Sequence, residues 1–176
     1  MPLILIEMII DLSILLISIF VFISLIWLSA LFFGAPFQPS YNKEVRKMIE
    51  FANLKKGNKV VDLGSGNGKI VIAFAKKGIE SHGFEINPIL AWLSRRKIKR
   101  LNLQKKAFIH RKNFWNQNFS DFDIITIFQI GKIMPKLESK LQKELKKGAK
   151  VISNIWIFPN WKYKEKKGEV YLYEVL

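Results

Sequence analysis

Two carboxylates and three glycines mark where this chain could do chemistry. In "VVDLGSGNGKIV" (60–71), Asp62 closes an apolar run, and Gly64, Gly66 and Gly68 follow at every second position. Glu85 ends a second strand-like run, 23 residues after Asp62. A backbone without Cβ atoms lets a ligand lie directly against peptide groups. A carboxylate just ahead of it repels a pyrophosphate and suits a cationic group. A P-loop requires G-x-x-x-x-G-K-[ST], but Leu63 and Ile70 stand at its first glycine and its magnesium-binding hydroxyl. A nicotinamide or flavin loop requires G-x-G-x-x-G, and Lys69 occupies the third glycine position.

The elements that must position these residues alternate between strand-like and helix-like runs, which predicts an α/β sheet. Strands are expected at 59–63, 80–85, 107–110, 122–128, 149–154 and 169–176. Helices are expected at 41–53, 68–77 and 88–101, the last with Asn87 as N-cap and Pro88 at N1. Leu137, Leu141 and Leu145 form the buried stripe of a further helix, which Gly148 ends. Open sheets of this kind bind ligands at the carboxyl edge of the strands. There Asp62 would meet the ammonium end of S-adenosylmethionine, and Ser65 would sit within the turn that holds it. Glu85 would accept both ribose hydroxyls. "NFW" (113–115) would supply the Asn113 amide to the adenine edge and the Phe114 ring to its face. Each feature is common alone. In this order and spacing they point to a Rossmann-like class I methyltransferase.

Residues 12–33 contain no charge and only serines as polar groups. Twenty-two residues of helix span about 33 Å, enough for a hydrocarbon core of about 30 Å. A signal peptide would carry a basic n-region, whereas the charges here are Glu7 and Asp11; a transit peptide would carry arginine, and none precedes Arg46. Lys43, Arg46 and Lys47 follow the span, so the positive-inside rule places the C-terminal part in the cytoplasm. "GAPFQPS" (34–40) reads as a linker, giving an anchor with its linker over 1–35 and a methyltransferase domain over 36–176. All 29 Lys and Arg residues lie after position 42, together with all but two of the 14 acidic ones. An anionic partner and a lysine-rich solvated coat account for that excess equally well. With no cysteine and only His82 and His110, thiol chemistry is excluded and no metal site is expected.

An aromatic entry would desolvate an attacking amine and still attract its ammonium form. Phe37, Ser40 and Tyr41 ahead of the domain, Phe128 after the fourth strand, and Trp156, Phe158 and Trp161 after the fifth are the candidates for such a channel. No side chain stands out as a general base. Enzymes that methylate planar amines usually carry [DNS]-P-P-[YFW] after the fourth strand. Here it reads "FQIGK" (128–132), so a nucleic-acid substrate is disfavoured.

From about Pro36 to Tyr173 the chain resembles a family of small membrane-associated protein-lysine methyltransferases. These modify the mitochondrial adenine nucleotide translocase and the c-subunit of ATP synthase, and have prokaryotic relatives. The resemblance rests on "DLGSGNGKIV", "GFEINP" (83–88) with "SRRK" (94–97), "NFW", "KLQKELKKGAKVIS" (140–153), "FPNW" (158–161) and "GEVYLY" (168–173). It implies S-adenosylmethionine bound by Asp62, Gly64, Gly66, Gly68 and Glu85, and a protein lysine as methyl acceptor. Asn67, Lys69 and Asn113 depart from the family's usual Asp, Arg and Asp. Two other readings are a methyltransferase for a lipid or quinone-like acceptor, and a tethered binding module without activity.

Overall fold

The computed structural model describes residues 2–33, 42–129 and 131–176. The chain divides into two units, Met1–Pro36 and Phe37–Leu176. In the second, seven strands form one sheet: Lys59–Leu63 (β1), Glu80–Phe84 (β2), Ala107–His110 (β3), Ile124–Ile127 (β4), Lys150–Asn154 (β5), Glu165–Lys167 (β6) and Val170–Glu174 (β7). Their spatial order is β3-β2-β1-β4-β5-β7-β6. The first five are parallel, and β7 runs antiparallel to both β5 and β6. The chain steps outward from β1 through β2 to β3, then returns to lay β4 on the other side of β1. That reversal opens a crevice at the carboxyl ends of β1 and β4, where folds of this class hold ligands.

The helices of this unit are Asn42–Ala52 (α2), Lys69–Ala75 (α3), Pro88–Arg100 (α4) and Met134–Glu144 (α5), with α1 (Pro2–Phe33) lying in the first unit. All four residues of β4 are buried, as expected for a strand covered on both faces. On one face Val61, Ile125, Ile127 and Val151 pack with Leu137 and Leu141 of α5. On the other, Val60, Ile124 and Ile152 pack with Val45, Met48 and Phe51 of α2 and with Ile70 and Phe74 of α3. Each such side chain stabilises the fold by roughly 1.5–3 kcal/mol. The rigid sheet so formed fixes where the strand ends point.

The strands and helices lie where the sequence places them, with three differences. α5 ends at Glu144 rather than at Gly148, because Leu145 already takes an extended backbone at its C-cap. β4 begins at Ile124, because Asp123 is used ahead of it: its carboxylate accepts from Lys59 N–H at 2.7 Å and pairs with Lys146 at 2.7 Å. β6 has no apolar alternation, and all three of its residues are exposed; only pairing with β7 defines it. In the first unit, Glu7–Leu25 is long and apolar enough to cross a membrane. Its serines return their hydroxyls to the helix, Ser13 to Ile9 O at 2.8 Å and Ser18 to Leu15 O at 2.7 Å.

Candidate functional site

The turn from β1 into α3 is wound left-handed at each of its glycines, with φ of 79° at Gly64, 52° at Gly66 and 73° at Gly68. Such a conformation costs other residues roughly 1–2 kcal/mol apiece. Space is as limiting as conformation. A Cβ at Gly64 would overlap the Gln129 amide, and one at Gly68 would stand 3.1 Å from Ser94 Oγ. Beneath the turn, a Cβ at Gly83 of β2 would stand 2.6 Å from Ser65 Oγ, so this glycine makes room for Ser65.

Hydrogen bonds lock this close packing. Gly64 and Ser65 both donate from backbone N–H to Phe84 O, at 2.9 and 3.0 Å. Gln129 Nε2 donates to Leu63 O at 2.6 Å. Ser94 Oγ lies 2.8 Å from the carbonyl oxygens of both Gly66 and Leu90, and its one proton can serve either. Ser65 Oγ is buried without a hydrogen-bond partner among the described residues.

Both carboxylates are enclosed, Asp62 at 3% exposure and Glu85 at 6%. Glu85 Oε2 accepts from Gly66 N–H at 2.7 Å, and its Oε1 accepts from Asn87 N–H at 2.8 Å. Each oxygen has a second lone pair for a ligand hydroxyl. Asn87 in turn caps α4 through Oδ1, at 2.9 Å from Ile89 N and 3.3 Å from Leu90 N. Asp62 Oδ1 accepts from Thr126 Oγ1 at 2.8 Å. Burial pushes the Asp62 carboxyl up to about 7 against the lowering effect of that bond, and the Glu85 charge adds to the rise. A carboxylate so destabilised is relieved by an approaching cation. The bare turn, the orphaned Ser65 hydroxyl, the acceptor-rich Glu85 and the cation-seeking Asp62 fit S-adenosylmethionine, which is cationic at one end and carries vicinal hydroxyls at the other.

The remaining predicted residues separate into groups. Asn113 is exposed and its Oδ1 caps the 3-10 turn Phe114–Asn116 by accepting from Trp115 N–H at 3.0 Å, leaving one lone pair. Phe114 is half-buried, with its ring centroid 5.0 Å from that of Trp115. Phe128 is half-buried just past β4. Trp156 is exposed at the rim, its ring so close to Gly131 that a Cβ there would stand 2.6 Å from it. Phe158 lies in the core instead, 4.9 Å from the Tyr173 ring and 5.5 Å from Trp161, which is itself half-buried. These two support the loop after β5 from beneath. Phe37, Ser40 and Tyr41 lie outside the described residues.

Sequence reasoning missed Thr126, Ser94, Gln129 and Ile155. Thr126 is the single hydroxyl in "IITI", and Ser94 the polar residue on the buried face of α4, so both had a signal. Gln129 had none. Ile155 takes φ 70°, a rare conformation for a β-branched residue, and so turns the chain out of β5 into the segment carrying Trp156.

Residues 62–165 match the ANTKMT methyltransferase domain. The chain is 37% identical over 134 residues to the ATP synthase C-subunit lysine N-methyltransferase of Mus musculus, covering 76% of this chain and 54% of that protein. It is 33% identical over 127 residues to adenine nucleotide translocase lysine N-methyltransferase of the same organism, covering 72% and 55%. A protein-lysine N-methyltransferase of Saccharolobus islandicus is 33% identical over 137 residues, covering 74% and 82%. The chain thus spans about half the length of the mouse relatives. Among solved structures, an RNA methyltransferase from Salinibacter ruber in complex with S-adenosyl-L-homocysteine shares the fold. Its TM-score is 0.72 at 24% identity, covering 78% of this chain and 92% of that one. From its glycine turn to its last strands, this chain belongs to the ANTKMT methyltransferase domain family.

Proposed function

We propose that this chain transfers a methyl group from S-adenosylmethionine to lysine side chains of a protein substrate at a membrane. The observation that carries the reading is the Asp62–Glu85 pair, buried on either side of three left-handed glycines at the β1/β4 crevice. The lysine acceptor is supported by the names of the relatives, three of which are protein-lysine methyltransferases.

The bound cofactor supplies an activated methyl group, so the chain's own task is positioning. Glu85 holds Gly66 N–H and Asn87 N–H while keeping acceptor capacity for the ribose hydroxyls. Asp62 ionises against the positive end of the ligand. On the acceptor side, the half-buried Phe128 and the Trp156 ring over Gly131 line the approach and shed water from the amine. A lysine ε-ammonium has a reference pKa of about 10.4, which an apolar entry lowers. Solvent takes the released proton. α1 would tether the chain as a single span, with residues 36–176 as the catalytic domain on the cytoplasmic side, as Lys43, Arg46 and Lys47 favour.

Incubating the full chain with radiolabelled S-adenosylmethionine and a membrane extract, then hydrolysing the product, tests the reading. Label is expected in methyl-lysine, and is expected to vanish with Glu85→Ala. Label confined to lipid would overturn the lysine acceptor and keep the cofactor. No transfer above the Glu85→Ala background, with cofactor bound, would favour a binding module.

A further inference from the structure

The carboxyl edge of the sheet carries two exposed apolar clusters that the cofactor site does not use. On α4, Ala91, Ser94 and Ile98 face the core. The opposite face exposes Ile89 at 65%, Trp92 at 55% and Leu93 at 43%, and then continues as Arg96, Lys99 and Arg100. The stripe is therefore apolar at the end nearest the site and cationic one to two turns further on. α4 holds five basic residues and no acidic one. Arg95 is tied to the sheet through Ile109 O at 3.0 Å, whereas Arg96 lies 5.4 Å over the Trp92 ring and stays exposed.

The second cluster follows β5. Ile155, Trp156 and Ile157 are three consecutive apolar residues, each more than two-fifths exposed. A run of this kind on a soluble surface is a fault unless it has a use. The left-handed Ile155 holds it outward at a conformational cost. Between the ends of β2 and β5 lie three strand spacings, about 14 Å. The two clusters thus stand on either side of the β1 and β4 ends, where Asp62 and the glycine turn lie.

We propose that this rim is a bilayer-docking surface, in which Ile89, Trp92 and Leu93 on one side and Trp156 and Ile157 on the other enter the interfacial layer of an anionic membrane. Exposed apolar residues including tryptophan at the carboxyl edge, with arginine and lysine further along α4, match the composition of a lipid interface. The cationic half of the stripe complements anionic headgroups, each basic side chain adding attraction near the surface. The same chain holds a helix apolar enough to span a bilayer, yet the docking does not depend on that helix crossing one. Nor does it depend on the identity of the methyl acceptor.

The chain has no cysteine, so single labels are clean. Ile89→Cys and Ile157→Cys, each carrying a polarity-sensitive fluorophore in the full chain, would be compared with Lys76→Cys beyond the far end of α3. Vesicles would be phosphatidylcholine alone or with added phosphatidylglycerol. Labels at 89 and 157 are expected to shift to the blue with phosphatidylglycerol vesicles, less without it, and the label at 76 not at all. The pair Arg96→Glu and Lys99→Glu is expected to abolish the difference between the two compositions. Aqueous emission from both rim labels on phosphatidylglycerol vesicles overturns the proposal. So does a blue shift that appears only when a soluble protein substrate is added, which would assign the rim to a protein. Cofactor titration of each variant verifies an intact site, and a rim that docks in a chain without lysine transfer leaves this proposal standing while sinking the proposed activity.

Discussion

Glu85, at the end of β2, holds Gly66 by a 2.7 Å bond from the glycine N–H to Oε2. The acid that would bind the ribose and the turn that would hold the rest of the cofactor are therefore one fastened unit. Because the Asn87 N–H occupies the other oxygen, the carboxylate is oriented before any ligand arrives. Such preorganisation lowers the entropy lost on binding.

Glu85→Ala removes the ribose acceptors and strands two backbone N–H groups, each costing about 1–3 kcal/mol if left unpaired. Affinity for S-adenosylmethionine is expected to fall at least about 100-fold, and Glu85→Gln, which keeps one acceptor oxygen, by about 10-fold. Calorimetric titration beside thermal unfolding reads both effects. Unchanged affinity in the alanine variant would remove Glu85 from the site.

Asp62 predicts a pH effect whose sign is fixed. Its carboxyl is pushed up to about 7, above the ordinary 3.8, so the folded apo protein favours the protonated form. The associated stability is full below about pH 4 and is lost as pH rises through 7. A cationic ligand favours the ionised form, so binding should release a proton and tighten as pH rises from 6 to 8. Asp62→Asn is expected to raise the melting temperature at pH 8, by the equivalent of a few kcal/mol (about 2–4) at most, and to weaken binding while flattening its pH dependence. A wild-type affinity that does not change between pH 6 and 8 would contradict the assignment.

Most of this arrangement was legible in the sequence, for physical reasons. β1 and β4 are largely apolar runs, and the glycines fall where a strand must turn sharply into a helix. The long-range pairings were not legible. Thr126 meets Asp62 because β4 lies in register beside β1 (Asp62 opposite Thr126), which only the crossover decides. Gln129 packs on Gly64 from 65 positions away. The aromatic residues after β5 were all legible as a group, but their alternation was not. The left-handed Ile155 sets which rings turn inward, sending Phe158 to the core and leaving Trp156 at the rim.

Two glycines of similar conformation separate strain from site packing. Gly78 has φ 81° and open space around a would-be Cβ; Gly68 has φ 73° and Ser94 at 3.1 Å. Gly78→Ala is expected to cost roughly 1–2 kcal/mol of stability and leave cofactor affinity alone. Gly68→Ala adds crowding of Ser94, displacing the hydroxyl that serves Gly66 O, and is expected to lower affinity about 10-fold as well. Equal affinities in the two variants would mean that Ser94 does not shape the turn.

The strained residue after β5 offers the sharpest test of the acceptor side. Ile155 is held at φ 70° by its N–H to Glu169 O at 2.7 Å, while Trp156 N–H turns back to Asn154 O at 2.9 Å. Glycine there relieves roughly 1–3 kcal/mol of strain and gives back about 0.5–1 kcal/mol in chain entropy. Ile155→Gly is therefore expected to melt no lower than the wild type. Its loop is freer, so Trp156 is less firmly held over Gly131, and single-turnover methyl transfer should slow while calorimetric cofactor affinity stays the same. That split, stability kept and chemistry lost, places the strain in the service of substrate alignment. A lower melting temperature would show instead that the isoleucine side chain contributes more by packing than its backbone costs.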